Sequence, residues 1–361
     1  MDIEEQIVSY QDVIDGLEIK GDDLGVAEYA LTPARKKAFL SNPFIQSTEQ
    51  CMLYLQRVDG CVAGRMMYFP SRFYNGEDIV PSCGASALEV NAKFRDLTIG
   101  ADLAMFPLFQ DNKLLIYSDF SEEGIEACRA LKFNIFSIPK YYYFLHHSIL
   151  LETVGINSFL GRIIGGIIDK VVSLHRFSVR LLQGRLDKYK VEKVSIVPGW
   201  VDDIVLKDGH KYMEVHDHAW FQWNLDNLFH DDEGNVNSFY VVTQDGEDLG
   251  FFMTKTRWNK MEKHHATPKL VGAIMEWGTL DKEKLSEEQI YRLALASFDN
   301  NVHFVTMAIE DLAVAKRLKK YILFRRGDHT IAYKDIKKQY KDSNNQSLWR
   351  LRYGYADSVL N

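Results

Sequence analysis

The stretch Leu88-Glu89-Val90-Asn91-Ala92-Lys93-Phe94-Arg95-Asp96-Leu97-Thr98-Ile99-Gly100 has residue types and an order suited to chemistry on an anionic group. An apolar strand carrying Glu89 runs out at Val90, and a helix is predicted to begin near Thr98. The first amides of a helix lack intrahelical acceptors and sit at the positive end of its dipole. A pyrophosphate binds well at such a terminus. Arg95 stands ahead of it as a charged donor, and Gly100 and Ala101 are small enough for close approach of the backbone. The Cβ of Thr98 narrows the same loop, while its hydroxyl is suited to capping or to donating to a phosphate oxygen.

Other constellations carry less. His216-Asp217-His218, with His210 and His230 nearby, allows a two-histidine metal site on one strand face. No H-E-x-x-H helix accompanies it, so polar loop residues are the favoured reading and no metal is expected. His146-His147 and His264-His265 are adjacent pairs, which point to opposite faces of a strand. Tyr141-Tyr142-Tyr143-Phe144 reads as a strand half in the core and half on a cleft rim. The basic run KRLKKYILFRR reads as a solvated face. Cys51, Cys61, Cys83 and Cys128 form no C-x-x-C pair, consistent with a reducing cytoplasm.

The elements around these residues repeat. Gln50–Phe69 reads as strand, turn and strand about Asp59-Gly60, and Ser238–Thr256 does so about Asp245-Gly246; both are hairpin signals. Each hairpin has a second glycine at the same offset, Gly64 and Gly250. In the first half there follow a strand at Ser86–Val90, a helix ending near Phe109, and then KLLIYSDF, SEEGIEACRALKF and NIFSI as strand, helix and strand. In the second half KLVGAIMEW, SEEQIYRLALASF, VHFVTMAI, EDLAVAKRLKKY and ILFRR alternate strand and helix. Ser121 and Ser286, each ahead of two glutamates, mark helix starts.

Between the halves, Ile156, Leu160, Ile163, Ile167, Val171 and Leu174 recur at helical spacing. Ser158, Arg162, Gly165, Asp169, Ser173, Arg176 and Arg180 fall on the other side, and the C-terminal part, to Arg185 and Lys188, is basic. An inter-domain helix with its apolar stripe buried is the favoured reading, and a helix lying on a membrane surface is the sharper one.

At 361 residues, 46% hydrophobic and 26% charged, the chain suits two globular domains. A net charge of −7 and a pI of about 5.9 argue against a nucleic-acid binder. No secretory signal opens the sequence, and no apolar run reaches the length of a spanning helix. A cytoplasmic protein without a transmembrane segment is expected.

The strand and loop of Leu88–Gly100 resemble those of the GCN5-related N-acetyltransferases, whose loop usually reads R/Q-x-x-G-x-G/A and here reads Arg95-Asp-Leu-Thr98-Ile-Gly100. GIEACRALKFNIFSIPKYY resembles the helix and strand that close that family's site. The resemblance implies an α/β mixed-sheet fold in two tandem acyl-CoA N-acyltransferase-like domains: residues 1–150 with the acetyl-CoA loop, a linker helix over 151–190, and a degenerate copy over 191–361. It implies acetyl-CoA as co-substrate, held by Leu88, Val90, Arg95, Asp96, Leu97, Thr98, Ile99, Gly100 and Ala101. An amine of a small molecule or peptide would attack the thioester directly, with the Val90 N–H on the oxyanion. Glu89 is the nearest candidate base, ahead of Glu77 and Asp78 on the preceding segment. Cys128 aligns with the tyrosine that many members use as the acid. Two other activities fit the same resemblance: an inactive CoA-binding or interaction module, and an aminoacyl transferase similar to the Fem group.

Overall fold

The structure, a computed structural model, describes residues 2–18, 31–109, 114–118, 122–153, 156, 158–182, 186–228, 234–259 and 269–355. Ser121, Arg185, His230, His264 and His265 lie outside the described residues. The chain begins with β1 (Ile3–Ser9), α1 (Tyr10–Ile14), α2 (Pro33–Leu40), β2 (Cys51–Val58), β3 (Cys61–Tyr74) and β4 (Ile79–Val90). There follow α3 (Ile99–Met105), β5 (Leu114–Ser118), α4 (Glu122–Ala130), β6 (Asn134–Phe144), α5 (Ser148–Thr153), α6 (Ser158–Leu182), β7 (Lys190–Val194), α7 (Val201–Leu206), β8 (Met213–Glu214) and α8 (His218–Asp226). The last elements are β9 (Val236–Gln244), β10 (Glu247–Asn259), β11 (Lys269–Thr279), α9 (Glu287–Ala296), β12 (Phe304–Ala308), α10 (Leu312–Leu318) and β13 (Leu323–Asp335).

Two compact units emerge, each drawn from separated stretches of chain. The first takes Met1–Ser137, Gly209–His230 and Thr330–Asn361; the second takes Ile138–Asp208 and Asp231–His329. The boundaries expected from sequence, at 150 and 190, follow chain order and do not coincide with these.

Within the first unit the strands run β1-β2-β3-β4-β5-β13, with β8 on the edge of β3. All neighbours are antiparallel except β4 and β5. The second unit runs β7-β9-β10-β11-β12-β6, again with one parallel pair, β11 and β12. The strand closing the first unit is Ile331–Asp335, and that closing the second is Lys140–Phe144. NIFSI therefore starts a strand whose later residues complete the second unit, and ILFRR one whose later residues complete the first.

Local detail repeats with the strand order. Asp59 and Gly60 have φ of 49° and 79°, Asp245 and Gly246 of 52° and 84°, as a two-residue turn with positive φ at both positions requires. Ahead of the second glycine each hairpin strand has one extra residue, Ala63 between Val62 and Gly64 and Leu249 between Asp248 and Gly250. Those glycines then sit opposite Val90 and Thr279. A Cβ on Gly64 would meet Leu103 Cδ1 at 2.7 Å and Ile99 Cγ2 at 2.8 Å, so the missing side chain is what seats α3 on the sheet.

The core of the first unit gathers Tyr54, Met66, Tyr68, Ile99, Leu103, Leu115 and Phe133; that of the second gathers Tyr143, Phe252, Trp277, Leu293, Val305 and Leu318.

In the second unit α6 is a 25-residue helix, but it turns its apolar stripe outward. Ile167, Val171 and Leu174 are 60%, 63% and 69% exposed. The inward face is the one expected to be polar. A Cβ on Gly165 would lie 2.8 Å from the Ser148 backbone, so glycine admits α5 there. Asp169 accepts from the His147 N–H at 2.8 Å and meets His147 Nδ1 at 2.7 Å. Arg176 donates to the Tyr321 carbonyl at 3.0 Å and lies 3.8 Å over the Tyr143 ring. Specific polar partners and a small residue thus decide which side packs, against the buried-stripe expectation.

Candidate functional site

The loop after β4 follows the end of a strand whose ladder with β5 is short among the described residues. β4 pairs with β5 at Cys83↔Leu115 and Gly84↔Ile116, and among the described residues the ladder goes no further. On its other side β4 stays on β3 but bulges, since Ala87 and Leu88 together face Met66 between the pairs Ser86↔Met67 and Glu89↔Arg65. A bulge re-aims the strand that contains it. The Asn91 N–H donates to Ala63 O at 2.9 Å, toward β3. Consecutive amides of an extended strand point to opposite sides, so the Val90 N–H points toward the side of β5, beyond the last pair of that ladder among the described residues.

Gly64 and Val90 share a pair on the face that α3 covers; a Cβ on Gly100 would meet Val90 Cγ2 at 3.3 Å. Arg65 and Glu89, one step along, project to the opposite face. Arg65 is 1% exposed and donates to Glu89 Oε2 at 3.0 Å. This ion pair fixes the carboxylate of the strand, and its cation escaped the sequence reading. Glu77 and Asp78 instead occupy the β3–β4 turn, their amides on Asn75 Oδ1 at 2.9 and 2.8 Å, at the far end of β4.

The loop itself is a 3₁₀ turn, Ala92–Phe94, capped by Asn91 Oδ1 accepting from the Lys93 N–H, followed by α3. The Leu97 amide bonds Phe94 O, and those of Ala101 and Asp102 bond Thr98 O. Among the described residues, the Ile99 and Gly100 amides at the start of α3 take no backbone acceptor. Thr98 does not cap with its side chain; its hydroxyl donates to Asp102 Oδ2 at 3.1 Å. Ile99 is fully buried against Gly64, so only its backbone faces the loop. Arg95, Asp96, Thr98 and Ala101 are exposed, Leu88 is 39% exposed, and Leu97 and Gly100 are half-buried. Lys93 adds a second exposed cation beside Arg95.

The corresponding turn of the second unit offers no such site. Asp281 Oδ1 takes the Glu283 and Lys284 amides. Ser286 and Gln289 close a capping box on α9, and Glu287 and Glu288 fill its first turn. Capping occupies the amides and the carboxylates repel an anion.

Cys128 is placed on α4 inside the core, 5% exposed in the cluster with Tyr117, Phe133 and Leu115. Burial pushes its thiol up to about 12. A proton held that tightly transfers poorly to a thiolate of ordinary basicity, which removes the reason for assigning it the acid role. Cys83 on β4 is likewise pushed up to about 12, chiefly by burial. For both, the folded state favours the neutral thiol. Their contribution to stability is complete below the unfolded value near 9 and is lost as pH rises toward 12. Urea midpoints are expected to fall from about pH 9 upward, each thiol contributing up to about 1.4 kcal/mol per pH unit. Cys128→Val is expected to reduce that slope, and an unchanged slope would contradict the assignment.

His216-Asp217-His218 is divided among separate tasks. His216 Nε2 meets Glu214 Oε2 at 3.1 Å with both side chains fully buried, and its ring stacks on Trp220 at 3.7 Å. Asp217 caps α8 through the Trp220 N–H at 3.0 Å and pairs with Arg72. Among the described residues no three ligating side chains converge. A separate cavity of about 440 Å³ in the first unit is lined by Phe44, Gln50, Tyr68, Pro81, Cys83 and Pro107. Cys83 is seven residues from Val90, roughly 20 Å along the strand.

No protein-family model matches the chain, and no curated protein matches its sequence. Solved structures do match. A GCN5-related N-acetyltransferase from Anabaena variabilis superposes with a TM-score of 0.55 at 11% identity, over 93% of this chain and 73% of that one. Saccharomyces cerevisiae N-myristoyltransferase with bound myristoyl-CoA gives 0.56 at 13% identity, over 92% and 82%. A probable N-acyltransferase from Enterococcus faecalis gives 0.53 at 11%, over 94% and 74%. The chain has the fold of the GCN5-related N-acetyltransferases, with a mixed sheet and helices as expected.

Proposed function

We propose that the protein is an acyl-CoA-dependent N-acyltransferase, with acetyl-CoA as donor, acting through the first of two tandem units. The observation that carries the reading is the bulged end of β4, beyond its last described pair with β5, with the Val90 N–H turned toward that side and the loop Arg95–Gly100 next to it. The Ile99 and Gly100 amides and the Arg95 guanidinium would hold the diphosphate. Gly100 suits this role because a side chain there would already crowd Val90.

The neutral amine of the acceptor attacks the thioester carbonyl carbon. The carbonyl oxygen becomes an oxyanion on the Val90 N–H, and Glu89 takes the amine proton directly or through one water. The C–S bond then breaks, and the thiolate leaves and is protonated from solvent. A small-molecule or peptide amine fits as acceptor. That the yeast enzyme was solved with an acyl-CoA supports the donor class.

Thr98 tied to Asp102, and Cys128, the acid candidate, buried in the core, favour a second reading: a module that binds acyl-CoA without turnover. Thermal melting with acetyl-CoA followed by thiol release over an amine panel separates the two. At a hundredfold excess over Kd the ligand is expected to add about 2.7 kcal/mol. Stabilisation with thiol release supports the enzyme, stabilisation without release supports the module, and no stabilisation contradicts both. Arg95→Glu is expected to abolish the stabilisation by acetyl-CoA while leaving the ligand-free melting point nearly unchanged, because its side chain is exposed.

A further inference from the structure

The outward stripe of α6 has the composition of a surface that meets lipid. Ile163, Ile167, Val171, Leu174 and Leu181 are 49% to 69% exposed along 25 residues, a length of about 37 Å at the rise of an α-helix. The helix has one carboxylate, Asp169, and it is turned inward onto His147. The outward charges described on α6 are cations, Lys170 and Arg180. Along one flank, His175 Nε2 meets Lys320 O at 3.0 Å and Arg176 donates to Tyr321 O, which places the exposed Lys319 and Lys320 beside the stripe. At the C-terminal end Phe177 and Leu181 line a cavity of about 370 Å³ with Leu186 and Leu293, and Arg180 and Arg292 belong to its wall.

We infer that α6 docks the protein on an anionic membrane surface, its stripe in the boundary between headgroups and acyl chains and its cations on the headgroups. An apolar face bordered by Lys and Arg is what lies in that boundary, and each cation near an anionic leaflet adds attraction. The alternative occupant, a second copy joined by a two-fold axis, would set two faces whose described charges are cations against each other across a self-complementary contact. Among the described residues no helix is long and apolar enough to cross a membrane, so α6 lies on the surface.

The test is co-sedimentation of the full chain with vesicles of phosphatidylcholine alone and of phosphatidylcholine with phosphatidylglycerol, alongside its oligomeric state in solution. Binding to the anionic vesicles, weakened by salt, is expected. The double variant Ile167→Asp/Leu174→Asp is expected to bind roughly tenfold or more weakly, and Lys170→Glu/Arg180→Glu to lose the preference for the anionic lipid. All four side chains are exposed, so unchanged melting of both variants is expected and verifies folding. Absence of binding, binding indifferent to both variants, or a dimer that Ile167→Asp/Leu174→Asp converts to monomer would each overturn the proposal.

Discussion

Glu89→Gln is expected to bind acetyl-CoA as the parent chain does and to lower kcat by about 10²- to 10⁴-fold, the range general-base catalysis contributes. The substitution keeps the shape of the side chain and its reach to Arg65 at 3.0 Å while removing the basic oxygen. Glu89 stands one residue from Val90 and projects to the face opposite α3, so an amine approaching from that face reaches the carboxylate without crossing the loop that would hold the donor. Arg65→Leu is expected to lower kcat as well, acting through the position of Glu89. Unlike Glu89→Gln it removes a buried cation and is expected to cost stability too. Steady-state kinetics with acetyl-CoA saturating, beside a direct affinity measurement, check both. Parent-like turnover in Glu89→Gln would exclude this carboxylate as the base.

The largest effect on stability is expected at Glu214. The side chain is fully buried, accepts from Ser71 Oγ at 2.7 Å and meets His216 Nε2 at 3.1 Å, and its own N–H donates to Tyr355 Oη at 3.1 Å. Residues from β3 and from the turn after β8 thus meet on one carboxylate, while the backbone of the same residue ties in the C-terminal stretch of the first unit. Removing one partner of such a buried pair strands the others. Glu214→Ala is expected to lower stability by about 3–5 kcal/mol, and Glu214→Gln, which still accepts from Ser71, by less. Urea denaturation of both variants is the check, and a loss below about 1 kcal/mol for Glu214→Ala would contradict the role.

Features set by neighbours in sequence were legible. Asp59-Gly60 and Asp245-Gly246 adopt the positive φ values their types allow, and Ser286, ahead of two glutamates, caps α9. Distant partners were not legible. Nothing local in the strands begun by Asn134 and Leu323 says that residues 140–144 pair with β12 while 331–335 pair with β5. Periodicity located the apolar stripe of α6 but not its direction, which Gly165 against Ser148, Asp169 against His147 and Arg176 against Tyr321 decide. The polar character of His216-Asp217-His218 was legible, but its partners Glu214 and Arg72 were not.

At the candidate site the motif gave the loop and the small residues, while side-chain partners escaped it. Thr98 and Asp102 are four apart, a spacing at which helical side chains meet, so that bond was within reach of sequence reasoning. Arg65 was not, since its partner is 24 residues away and brought opposite by a bulge. For Cys128 a resemblance of sequence says nothing of the apolar packing that pushes up its thiol.

Calorimetric titration of the intact chain with acetyl-CoA tests the central claim most directly, with Gly100→Val in parallel. Saturable binding at one site is predicted for the parent chain, and loss of it in the variant, whose side chain would fill the space between α3 and Val90. An absence of binding heat at any temperature, or equal affinity in the two proteins, would contradict the assignment of the diphosphate to the amides that open α3.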